Sequence, residues 1–234
     1  MMARWSRVER VGHGVVAAFG IPEGIEEEAL AASRLSDAER VHLATKGRRK
    51  DEFIAGRLAV RAACLAFGVE VHEVLPDEQG APCIPAPLTG SISHTVGVAV
   101  AIVGRAEDGT LGIDVEAVDR FRARIEGLVL TTQERGAIGD MEGVERARAV
   151  LLRFSAKEAL YKALHRQIAR DLSFLDAHVH PRATRTDSGT GGLLGEELHV
   201  DVEWETGEGP FVVHGRFGWE SFGLLTSVRA SRPT

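Results

Sequence analysis

Two short stretches carry groups able to handle phosphate. In "GIDVE", residues 112 to 116, Asp114 and Glu116 stand two positions apart at the end of a β-branched run. Side chains at i and i+2 of a strand point the same way, so the two carboxylates share a face while Ile113 and Val115 turn to the other. Like charges that close raise each other's proton affinity unless a cation sits between them. A hard divalent ion such as Mg²⁺ takes carboxylate oxygens and keeps positions for water and phosphate. Alone, an Asp-x-Glu pair is also the ordinary end of a strand opening into solvent. In "RFSAKEALYKAL", residues 153 to 164, helical spacing stacks Glu158 under Lys162, while Lys157 points about 100° away from its neighbour Glu158. That pair is equally readable as a solvated ion pair of about 0.3 kcal/mol.

These groups need elements to place them. Ser36, with Glu39 three residues on, predicts a capping-box helix start, and a second helix is expected from about Lys46 to Ala66, ended by Gly68. A first strand is expected over residues 11 to 20. The stretch "VEVHEVLPDEQGAPCIP" reads as a strand running into a turn, and "GSISHTVGVAVAIVG" as two strands broken near His94 and Thr95. "TLGIDVEAV" is a further strand, Thr131 a helix cap, and residues 145 to 168 one long helix or two abutting ones. The tail from Phe174 is strand-like, with a Gly/Ser/Thr-rich loop at 184 to 195.

Helices followed by strands, given twice, predict an α+β chain of two similar halves packed pseudo-symmetrically, residues 1–110 and 111–234. The repeat is architectural, with no residue-level repeat visible. A site shared by the halves is expected where they meet.

At 234 residues and 44% hydrophobic, the chain has the material for a substantial core. A formal charge of −6 argues against a nucleic-acid binder and requires that any anionic ligand be met by a local patch. Cys64 and Cys83 have no metal or Cys-x-x-Cys spacing and are expected to be reduced packing residues. The first twenty residues, broken by charge, predict neither a signal peptide nor a membrane span, so a cytoplasmic protein is expected.

In order and spacing, "RRKDEFIAGRLAVRAA", "GAPCIP" followed by "SISHT", "GIDVE" and "FSAKEALYK" resemble the motifs of the 4′-phosphopantetheinyl transferase superfamily. The likeness is to its two-half type and more particularly to the enterobactin synthetase component D branch. It spans roughly residues 47 to 165 and implies transfer of the 4′-phosphopantetheine arm of coenzyme A to a serine of an apo acyl or peptidyl carrier protein, releasing adenosine 3′,5′-bisphosphate. Asp114, Glu116 and Glu158 would hold Mg²⁺ against the pyrophosphate, with Glu158 as base and Lys162 as the charge that meets the leaving group. Lys157 is a second candidate for that electrostatic role.

The same resemblance assigns coenzyme phosphates to the first half: His94 with Ser93 beside it, and Arg49, Arg57 and Arg61, with Arg48 as a further candidate. Gln79 departs from the pattern, since many relatives carry a basic residue there. Phe121, Arg122 and Arg124 could meet the carrier or form an ordinary amphipathic connector. A Mg²⁺-dependent phosphohydrolase using the same carboxylates on water is the alternative, and a non-catalytic coenzyme or carrier binder a third reading. Two fused halves can complete a site within one chain, so a monomer is expected.

Overall fold

The computed structural model describes residues 6–21, 32, 34–118, 125–168, 172–182, 193–204 and 208–233, leaving aside the side chains of Arg48 and Arg182. The chain divides into two compact units, Met1–Asp108 and Gly109–Thr234.

The first unit opens on a hairpin, β1 (Ser6–Val11) and β2 (Gly14–Gly20), where a single strand was expected. Two helices follow, α1 (Asp37–Leu43) and α2 (Lys50–Leu65), joined through a 3₁₀ turn at Gly47–Arg49. Ser36 caps α1 with the reciprocal Ser36–Glu39 pair that its spacing predicts. Strands β3 (Leu88–Thr95) and β4 (Val98–Arg105) complete an antiparallel sheet of order β1-β2-β4-β3. They turn at Val96–Gly97, where Gly97 takes φ +76°, a conformation only glycine adopts without strain. Ala59, Val60 and Ala63 of α2 pack on Val15, Ala17, Ala101 and Val103 of the sheet. Cys64 lies in this core, where burial pushes its thiol up to about 11, whereas Cys83 is exposed and is not the packing residue expected.

The strand expected from Val69 does not form. Its backbone groups are tied by side chains instead of a ladder: Arg61 donates to the carbonyls of Val71 and His72, Arg57 to that of Val74, and the Val74 amide donates to Glu39. Beyond it lies a turn in which Asp77 accepts from the amides of Gln79 and Ala81, closed by one bridge between Pro76 and Pro82.

In the second unit β5 (Thr110–Glu116) leads to a single turn α3 (Glu126–Val129), α4 (Thr132–Ile138) and one unbroken helix α5 (Gly143–Leu164). Strands β6 (Ala177–Arg182), β7 (Glu196–Val202), β8 (Val212–Glu220) and β9 (Gly223–Ser231) follow, giving the antiparallel order β5-β9-β8-β7-β6. Most of the loop expected at 184–195, and the candidate carrier surface at Phe121, Arg122 and Arg124, lie outside the described residues. No helix among the described residues is long and apolar enough to cross a membrane.

The architecture is α+β, and each unit repeats a detail that the sequence hides. In the first, the Glu39 carboxylate, 0% exposed, accepts from the Ser36 amide, the Val74 amide and the Arg61 guanidinium. In the second, Glu134, 1% exposed, accepts in the same way from the Thr131 amide, the Val179 amide and the Lys157 ammonium. Each capping acid thus joins a short helix, the long helix that follows it and the next segment of chain. The two units thus repeat one another in long-range pairing and not in sequence identity.

Candidate functional site

Gly112 decides how β5 meets α5. A Cβ there would lie 1.8 Å from the Ala159 carbonyl oxygen and 2.8 Å from the Ala163 nitrogen, so the helix rests directly on the strand backbone. That contact brings the helical face bearing Ser155, Glu158 and Lys162 toward the strand face of Asp114. Ile113 and Val115, pointing the other way, are buried.

Asp114 is 3% exposed and held at both oxygens. Lys162 Nζ donates to Oδ1 at 2.7 Å and to the Ile113 carbonyl at 3.1 Å, while Ser155 Oγ donates to Oδ2 at 2.8 Å. Glu158 stands close enough for Asp114 to act on it: burial raises its proton affinity above the ordinary carboxylate range, the Asp114 charge adds to this, and Lys162 opposes it. Glu116, half-buried, closes the strand. Beside Glu158 opens a cavity of about 250 Å³ with Tyr161, Leu172 and Phe174 in its walls.

These donors suit a hard divalent cation in kind, being carboxylate oxygens with a cation already on one of them. In placement the three-acid cluster is not met: among the described residues no three His, Cys, Asp or Glu side chains are gathered as a metal site. The cation that Asp114 holds is the Lys162 ammonium.

Lys157 also borders the cavity beside Glu158, but its ammonium is committed to other partners. Its ammonium, 2% exposed, donates to Glu134 at 2.6 Å and to the Val129 carbonyl at 2.8 Å. Burial depresses its pKa and Glu134 opposes the shift. A cation so enclosed braces α4 and β6 to α5, which corrects the expectation that it meets phosphate.

In the first unit the expected residues separate into two groups. Arg49 Nη2 meets His94 Nε2 at 2.8 Å, and Arg49 Nε donates to Glu52 Oε2 at 2.8 Å, with His94 Nδ1 3.5 Å from that same oxygen. Because Nε2 accepts from the guanidinium, the ring proton belongs on Nδ1, facing Glu52. Arg49 is exposed, so this cluster is open to an anion. Arg61 donates through Nε and Nη2 to Glu39 and two carbonyls, which sets it apart from the Arg49–His94 cluster. Arg57 is 7% exposed, its guanidinium 3.8 Å over the Phe53 ring and its pKa lowered to about 10 by burial. Ser93 is buried on the opposite face of β3 from His94, and Gln79 is exposed in its turn.

Sequence reasoning missed Glu134 and Thr226. Thr226, opposite Asp114 on β9, lies 2.8 Å from Ser155 Oγ. The one signal was a Thr-Ser pair inside the otherwise apolar run "GLLTSV".

A two-unit α+β chain with an acid and lysine cluster on one long helix and an arginine and histidine cluster at the start of the other has the equipment of an enzyme acting on phosphates. Residues 37–104 match the model of the 4′-phosphopantetheinyl transferase N-terminal domain, and residues 110–213 that of the 4′-phosphopantetheinyl transferase superfamily. The chain is 30% identical over 184 residues to 4′-phosphopantetheinyl transferase PptT of Mycobacterium tuberculosis, covering 77% of this chain and 79% of that one. It is 33% identical over 193 residues to 4′-phosphopantetheinyl transferase Svp of Streptomyces mobaraensis, 76% of each. Enterobactin synthase component D of Escherichia coli (strain K12) is 34% identical over 134 residues, 56% of this chain and 62% of that protein. The chain belongs to the 4′-phosphopantetheinyl transferase superfamily and is a transferase of that class.

Proposed function

We propose that the chain transfers the 4′-phosphopantetheine arm of coenzyme A to a serine hydroxyl of an apo carrier protein. The observation that carries this reading is the Asp114–Lys162–Glu158 cluster that Gly112 seats on α5, in a chain of this superfamily. The serine oxygen forms a bond to the phosphorus bearing the arm, the pyrophosphate bridge breaks, and adenosine 3′,5′-bisphosphate leaves. Glu158 takes the serine proton. Asp114, Glu116 and Glu158 would hold Mg²⁺, which when bound offsets pyrophosphate charge. Lys162, one helical turn from Glu158, would meet the charge of the leaving bisphosphate. Arg49 and His94 bind a coenzyme phosphate, through a bidentate fork and a ring N–H; Arg57 is a further candidate there.

Incubation of the chain with coenzyme A, Mg²⁺ and a panel of apo carriers, read by intact mass, tests the proposal. A gain of one phosphopantetheine on a carrier is expected. Cleavage of coenzyme A without any gain on a carrier would establish the phosphohydrolase instead.

A further inference from the structure

We propose that the Glu52 carboxylate makes coenzyme binding take up a proton at His94; this rests on the reading of Arg49 and His94 as a coenzyme phosphate site given above. The three side chains close a triangle. Arg49 donates from Nε to Glu52 Oε2 and from Nη2 to His94 Nε2, each at 2.8 Å, and His94 Nδ1 lies 3.5 Å from that same Glu52 oxygen. A guanidinium only donates, so Nε2 carries a lone pair and the ring proton is on Nδ1, turned to the carboxylate. Charged groups meet the ring from the 3₁₀ turn, as Arg49, and from α2, as Glu52, while β4 sets the apolar Ala99 opposite His94.

A phosphate oxygen held by both residues needs a donor from each. Arg49, 68% exposed, has N–H groups to turn toward it. The His94 nitrogen beside Arg49 has none. Shifting the ring proton to Nε2 would set a bare Nδ1 lone pair against the Glu52 carboxylate at 3.5 Å, an acceptor facing an acceptor. A second proton removes that conflict. Nε2–H then donates to the phosphate, Nδ1–H keeps facing Glu52, and the imidazolium stands between two anions that favour its charge. The proton comes from solvent, and no other bond is made or broken. With the ring neutral before binding, uptake approaches one proton per coenzyme, and affinity falls by up to about tenfold for each pH unit above neutrality.

The test is isothermal titration calorimetry of the full chain with adenosine 3′,5′-bisphosphate at about pH 7 to 9, above the second phosphate pKa of about 6. Buffers of different ionisation enthalpy count the protons taken up. The parent is expected to take up about one proton per nucleotide. Glu52→Gln puts an amide where the carboxylate was, and its N–H can donate to Nδ1, so a neutral ring can turn Nε2–H to the phosphate. Uptake in that variant should drop below about 0.3 proton, with tighter binding that loses most of its pH dependence. Glu52→Ala gives the same count where Glu52→Gln proves poorly folded. His94→Gln should also bring uptake near zero but with weaker binding, which separates a lost ligand from a lost proton requirement. Uptake below about 0.3 proton in the parent across this range overturns the inference. Folded Glu52 variants that take up as many protons as the parent overturn it as well. A parent chain that binds no bisphosphate overturns the phosphate reading of Arg49 and His94 and the inference with it, an outcome distinct from both.

Discussion

Replacing Lys157 by Met decides whether this motif lysine belongs to the substrate or to the frame. The ammonium and the Glu134 carboxylate are 2% and 0% exposed and 2.6 Å apart. Methionine has similar length and fills the same space, so the perturbation is the loss of charge and of two hydrogen bonds. Glu134 keeps its two backbone donors, the amides of Thr131 and Val179, but its charge is left uncompensated in the interior. Breaking a buried pair by removing one partner costs about 3–5 kcal/mol. At roughly 2–4 °C per kcal/mol for a chain of this size, the melting temperature should fall by roughly 6–20 °C. Differential scanning calorimetry at neutral pH reads this directly. Lys157→Met combined with Glu134→Gln removes both charges and should recover a large part of the loss, giving a coupling energy well above the 0.5 kcal/mol expected of independent sites. A Lys157→Met chain that melts within a degree or two of the parent while its KM for coenzyme A rises sharply would refute the reasoning. It would return Lys157 to the phosphates.

Three further outcomes follow from the same geometry. Gly112→Ala places a Cβ 1.8 Å from a helix carbonyl, so α5 must lift from β5; a loss of at least 1–3 kcal/mol, typical of overpacking, is expected in urea unfolding, together with loss of transfer. Glu158→Gln should abolish transfer while raising stability at neutral pH. Burial and Asp114 raise the folded-state pKa of Glu158, so its ionisation costs the native chain stability as pH climbs from the ordinary glutamate value of about 4.3 through the raised one. The gain from Gln should vanish below that window, as thermal melts across pH 3 to 8 would reveal. Glu52→Gln removes the anion that Arg49 and His94 now share; adenosine 3′,5′-bisphosphate should bind more tightly by calorimetry, with stability changed by no more than about 1 kcal/mol for so exposed a pair.

What could be read from the sequence was local. The Ser36–Glu39 capping box, the Thr131 cap, the shared face of Asp114 and Glu116, and the i, i+4 stacking of Glu158 and Lys162 each depend on neighbours within four residues. The failures were long-range. Val69 to Val74 has strand-forming side chains, yet Arg57, Arg61 and Glu39 take its backbone groups from a distance of 10 to 35 residues. Helical spacing marks Arg57 and Arg61 as sharing a face without saying what that face meets. Gly112 was legible as a motif letter only; its physical meaning, the absence of a Cβ under the Ala159 carbonyl, needs the helix in place.

The twin hubs give a reason why basic residues of a motif divide as they do. A buried acid at a helix start needs a cation, and in each unit the long helix supplies it from the side that packs on the short one, as Arg61 and Lys157. Neither can leave without stranding a carboxylate that is 0% exposed at its side chain. A phosphate must therefore be met by cations that solvent reaches. Arg49, with 68% of its side chain exposed, is one, and Lys162, with 27%, is another. Exposure of the base, more than the charge it carries, thus separates frame from site in this chain.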